Sequence, residues 1–216
     1  IKLYAEEKYH ESKTLTLQSA EYVFDLLLLL GVPCVMIMPS LLDVWLVEVP
    51  QYSVEFARLI IIQDILGNFS AAFYTPMVAA NKIQKNSIVA VFLCVIQFGL
   101  LCLLFKLGFG AIWARYIGIL FCIIWSFVVK PYILWKDINY QWGEMFICIG
   151  RCMRTLAIVT VICVGLYYLV PQSNIYYALL QAVLSIMVIA VVSFLFMEKG
   201  VRIKLKNYCL TKFQKA

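Results

Sequence analysis

From Thr155 to Met197 the chain carries no charged side chain, a run that no water-facing domain can hide. One bilayer crossing takes roughly 20 apolar residues, so this stretch is too long for one helix. It divides at Pro171-Gln172-Ser173-Asn174, a turn cluster between two spans. The same length rule gives six spans in all: Tyr22 to Val47, Val54 to Ala80, Asn86 to Phe105, Phe109 to Val129, Met145 to Val170 and Asn174 to Met197. Composition agrees, with 64% hydrophobic and 14% charged residues where soluble chains have about 25% charged. A soluble globule is excluded, and the expected fold is an all-α polytopic membrane protein with six transmembrane helices.

The net charge of +6 is then a topology signal rather than a sign of nucleic-acid binding, because short loops rich in Lys and Arg stay on the cytoplasmic side. Lys2, Lys8 and Lys13 precede the first span. Lys82 and Lys85 lie between spans two and three, and Lys130, Lys136, Arg151 and Arg154 mark the region between four and five. Lys199, Arg202, Lys204, Lys206, Lys212 and Lys215 follow the last span. All of these fall on one side, which places both ends of the chain in the cytoplasm. The chain divides into a cytoplasmic loop over 1–21, four spans over 22–136, a helical pair over 137–197 and a basic cytoplasmic tail over 198–216. Trp45, Trp113, Trp135, Tyr140 and Trp142 fall at the expected interfaces, where an amphipathic ring keeps one edge wet. The chain opens at Ile1 with a charged segment that reads as an interior loop, so further chain is expected before it.

Three features interrupt the lipid-like spans, and polar groups in a bilayer are costly enough to require a reason. Pro33 and Pro39, with Gly31 nearby, remove backbone donors from the first span and are expected to kink it. The second span carries Glu55, Arg58, Gln63, Asp64, Asn68, Ser70, Thr75 and Pro76 and is the most polar. Asp64, Asn68 and Thr75 share a stripe at spacings of four and seven. Arg58 can bind an anion bidentately, with Asp64 tuning it. The plainer reading is that both pair with neighbours or snorkel. Arg115, in the fourth span, is read as snorkelling to the outer surface. Most of the eight cysteines lie inside apolar runs, where cysteine is a small hydrophobe, and the lone His10 has no ligand partners, so no metal site is expected. No G-x-S-x-G, Gly-rich phosphate loop or paired carboxylate motif marks an enzyme. Transport is therefore favoured over catalysis, with a membrane-embedded glycan-modifying enzyme or a non-transporting subunit as the alternatives.

The segment Trp45-Leu46-Val47-Glu48-Val49-Pro50-Gln51-Tyr52-Ser53-Val54-Glu55-Phe56-Ala57-Arg58-Leu59 resembles the W-L-G-x-V-P-E-Y-A-x-x-F-x-R-L segment of bacterial polysaccharide (O-antigen type) flippases of the MATE-like superfamily. Pro39 before it, Ala79-Ala80-Asn81-Lys82-Ile83-Gln84-Lys85 after the second span, and the paired last helices with a basic tail are similar to that family in the same order. Val47, Gln51 and Asn81 stand where the family has Gly, Glu and Gly. The resemblance implies the C-terminal part of a transporter of twelve to fourteen helices in two bundles, in the bacterial inner membrane. It also implies movement of an undecaprenyl-pyrophosphate-linked oligosaccharide to the periplasmic leaflet by alternating access. The partners would be that lipid-linked oligosaccharide, membrane lipids and the N-terminal half. No cofactor is implied beyond a coupling ion, H+ or Na+. Arg58 matches the family's arginine and is the leading headgroup candidate, with Asp64, Gln63 and Asn68 as further cavity candidates and Pro33, Pro39 and Pro76 as gating kinks. A drug antiporter or a peptidoglycan-precursor flippase of the same superfamily is the nearest alternative.

Overall fold

A computed structural model describes residues 2–169 and 175–196. The turn over 171–174 and the basic tail over 198–216, both singled out in the sequence, lie outside the described residues. Helix α1 (Lys2–Ala5) is followed by α2 (Tyr9–Trp45), α3 (Ser53–Asn68), a 3-10 turn (Phe69–Ala71) and α4 (Tyr74–Ala79). Then come α5 (Ile83–Lys106), α6 (Ile112–Ile123), a π-helical segment (Ile124–Val129), α7 (Lys130–Ile138), α8 (Trp142–Leu169) and α9 (Ile175–Phe196). Taken as Tyr9–Trp45, Ser53–Ala79, Ile83–Lys106, Ile112–Ile138, Trp142–Leu169 and Ile175–Phe196, six helical stretches among the described residues are long and apolar enough to cross a membrane. The chain is an all-α polytopic membrane protein.

Two boundaries differ from the sequence expectation. The segment before Tyr22 is helical rather than a loop from Tyr9 onward, so α2 runs 37 residues, about 55 Å at 1.5 Å per residue. The fourth span does not stop at Val129. It passes through Lys130-Pro131 to Ile138, because the wider π turn just before Pro131 accommodates a residue with no N–H and a bulky ring. Nor do Pro33 and Pro39 interrupt α2, which is continuous through both.

Helix α2 is the hub, packing against α3, α8 and α9, while α3 also packs on α6. The core clusters where the second span breaks: Phe69 is fully buried, edge-on to Phe24 and Phe73 and stacked at 5.2 Å on Phe127 of the π segment. Small residues let the backbones approach, as in other membrane bundles. A Cβ on Gly31 of α2 would lie 2.8 Å from Ile65 Cδ1 of α3, and one on Gly118 of α6 would lie 3.1 Å from Gln63 Oε1. Helix α5 buries only Asn86 and otherwise presents apolar side chains outward, as a lipid-facing helix does. Tyr140, expected at the interface, is instead buried, with the Lys13 ammonium 5.4 Å from its ring centroid.

Lys13 donates to Asn139 O at 2.6 Å, and Lys85 pairs with Asp137. The start of α2, the 79–83 turn and the 138–142 loop therefore share one end of the bundle, the grouping that the basic residues had suggested. Asn81 and Asn139 make these turns with φ of 54° and 59°, a left-handed conformation that asparagine tolerates better than most side chains.

Candidate functional site

Two places in the bundle combine polar groups with burial. The first is a cleft of about 470 Å³ between α2, α3 and α8. Its walls are largely apolar, with Val32 and Met36 from α2, Ile62 and Leu66 from α3, and Leu156 and Val164 from α8; Arg58, Thr160 and Tyr167 supply the polar groups. Arg58 is the first residue of α3 to reach it, at the end nearest the 46–52 loop. Its Nε donates to Val35 O at 2.9 Å. That carbonyl is the one that residue 39 would serve in an α-helix, and Pro39 has no N–H to give it. The guanidinium therefore makes good a backbone bond that the proline removes. Among the described residues its two terminal amino groups make no hydrogen bond, and Arg58 is one of the residues lining the cleft.

The other predicted residues do not converge on Arg58. Gln63 turns to α6, where it packs on Gly118 with its Oε1 buried and without a hydrogen-bond partner among the described residues. Asp64 and Asn68 are exposed, as is Thr75, and Asn68 Nδ2 donates to Asp64 O at 3.0 Å. Asp64 and Asn68, one turn apart on α3, do not line the cleft, while Thr75 lies beyond the 3-10 break in α4, in a groove with Ser12 and Thr16 of α2. Polar groups on an outward face of a membrane helix call for water or protein opposite them rather than acyl chains. Pro33 is buried inside α2, and Pro76 sits in the first turn of α4, just past the 3-10 break.

The second place was missed by sequence reasoning, which put Lys130 in a loop. Lys130 is only 9% exposed. Its Nζ donates to Ser70 O at 3.0 Å and to Ser70 Oγ at 2.9 Å, and it sits 5.8 Å from the Trp125 ring centroid. Ser70 Oγ is 2.9 Å from Gly67 O and 3.1 Å from Ser126 Oγ. Among the described residues no carboxylate pairs with this ammonium. The 3-10 break of the second span and the π segment of the fourth thus meet at one buried cation. A serine facing a lysine across two broken helices was the available signal, but serine is too common in membrane helices to stand out.

An ion pair and a cation–π contact elsewhere tie helices together. Arg151 of α8 reaches Glu21 of α2 at 3.4 Å, and Arg154 lies 4.3 Å from the centroid of the Phe196 ring of α9.

No family model, curated protein or solved structure matches the chain.

Proposed function

We propose that the chain takes part in moving a lipid-linked oligosaccharide across the membrane, with a polyprenyl-pyrophosphate carrier as the bound species. The observation that carries this reading is the cleft between α2, α3 and α8, an apolar slot that ends at a guanidinium with two uncommitted amino groups. An isoprenoid tail with a pyrophosphate head has that polarity, and a guanidinium binds phosphate oxygens through paired N–H donors. The exposed Asp64 and Asn68 give α3 a polar outward face, which suits passage of a sugar better than a wholly lipid-sealed helix. The resemblance of Trp45 to Leu59 to polysaccharide flippases points the same way. On this reading the protein resides in the bacterial inner membrane and the cleft holds the carrier by its head.

Arg58 has two roles here, and one variant pair separates them. Arg58→Ala removes the headgroup contact and also strips Val35 O of its donor. Pro39→Ala returns an N–H to Val35 O, so the Pro39→Ala/Arg58→Ala double variant repairs the helix while leaving the cleft without its cation. Surface-glycan export, measured at equal membrane levels of protein, is expected to fall by about 10-fold or more in both the single and the double variant. A charge-assisted contact of about 1.5–3 kcal/mol corresponds to that loss. Export restored to the parental level in the double variant would show that Arg58 serves only the helix.

A further inference from the structure

We propose that the oxygens of Gly67, Ser70 and Ser126 form a monovalent-cation site in which the Lys130 ammonium is a tethered occupant, and that removing this side chain opens the site to Na+. The inference does not depend on what the cleft carries.

The argument begins with the backbone. Helix α3 ends at Asn68 and gives way to a 3-10 turn. The carbonyls at that end carry the negative end of the helix dipole; Ser70 O also accepts the Phe73 N–H at 3.2 Å, and Gly67 O accepts from the Ser70 hydroxyl at 2.9 Å. Gly67 O and Ser70 O belong to this terminus. Two hydroxyl oxygens complete the group, Ser70 Oγ from the same turn and Ser126 Oγ from the π segment. The cluster contains only neutral oxygens from two interrupted helices: Ser70 O and Ser70 Oγ touch the ammonium, and Gly67 O and Ser126 Oγ lie 2.9 and 3.1 Å from Ser70 Oγ. That is how unwound membrane helices hold a small alkali cation, with carbonyls and hydroxyls replacing the hydration shell. Roughly 10 Å of helix separates Lys130 from Asp137 at the end of the bundle, so the point lies inside the span rather than at its mouth.

The occupant fits the same description. An ammonium is a compact charge with three donors. Two go to Ser70, and the Trp125 ring lies at cation–π range. No carboxylate among the described residues neutralises it. A buried cation without a counter-ion is tolerated only where oriented dipoles take the place of solvent, and the end of α3 supplies them. The site is thus shaped for a single positive charge whether or not that charge is tethered.

The test is thermal unfolding of the purified full chain, followed by intrinsic tryptophan fluorescence, in NaCl and in choline chloride at equal concentration. The parental protein is expected to unfold at the same temperature in both salts, because its site is filled. Lys130→Ala is expected to have a lower Tm in choline and a saturable rise of about 2–4 °C as Na+ is titrated in. Adding Ser70→Ala should remove that rise. Lys130→Ser is the second variant, for the case in which alanine does not yield folded protein, and carries the same expectation. Equal Tm values in the two salts for a folded Lys130 variant would overturn the proposal. So would a parental protein that shows the same Na+ response, or Lys130 variants recovered folded in neither salt.

Discussion

Lys130→Glu is expected to be the most damaging single charge change in the chain, costing about 3–5 kcal/mol and leaving little folded protein in the membrane. The ammonium sits against Ser70 O and Ser70 Oγ at the carbonyl end of α3. A carboxylate there would be repelled by the same dipoles that stabilise the cation, and a buried charge without a partner carries a penalty of that size. Taking up a proton does not rescue it, because one O–H then replaces three N–H donors. The informative control is Lys85→Glu, the same chemical change at the Asp137 pair. Lys85 is 57% exposed and its partner Asp137 11%, so the reversed side chain can turn into water away from Asp137, and the loss is expected to be smaller, on the order of 1–2 kcal/mol. Size-exclusion profiles and Tm values of the two variants, prepared in parallel, measure the difference. Comparable losses at the two positions would mean that Lys130 is not buried as described.

Phe69→Ala is expected to be the costliest purely apolar substitution. Phe69 is fully buried and touches Phe24, Phe73 and Phe127 at ring-centroid distances of 5.9, 5.3 and 5.2 Å. In a soluble core such a truncation costs about 3–5 kcal/mol, part of it lost transfer from water and part of it the cavity. Within a bilayer the transfer part shrinks, since acyl chains are as apolar as the core. The cavity part remains, about 2–3 kcal/mol for roughly 100 Å³ of unfilled space. Phe92 on α5 is 65% exposed, and Phe92→Ala should leave Tm nearly unchanged. Equal Tm losses for the two would contradict the packing described at the break.

The spans were legible because a bilayer imposes one length and one composition, and four of the six lie within a few residues of where the apolar runs place them. What stayed hidden depends on contacts between distant segments. Tyr9 to Glu21 reads as a loop because its charges are unsuited to lipid, yet nothing in it breaks a helix, and α2 simply continues past the apolar run. Lys130 followed by Pro131 has the pattern of a helix end; only the π turn, paired with the break at Ser70, lets the helix proceed with the lysine inside. Arg58 was singled out by its place in the second span. Its bond to Val35 O follows from Pro39 by simple counting, but that the donor would come from Arg58 required the packing of α3 on α2. Asp64 and Asn68 are one turn apart on α3, but the 3-10 break before Thr75 interrupts the period that spacing assumes.

The cleft's role as a carrier site is tested most directly by native mass spectrometry of the purified protein with undecaprenyl pyrophosphate, comparing the parental chain with Pro39→Ala and with Pro39→Ala/Arg58→Ala. Single-lipid adducts are expected for the parental protein and for Pro39→Ala, with about 10-fold fewer in the double variant, and undecaprenol without its pyrophosphate should bind all three equally and weakly. Equal pyrophosphate-lipid binding by all three proteins would contradict the account, because the one cation at the end of the cleft would then contribute nothing to recognising the head.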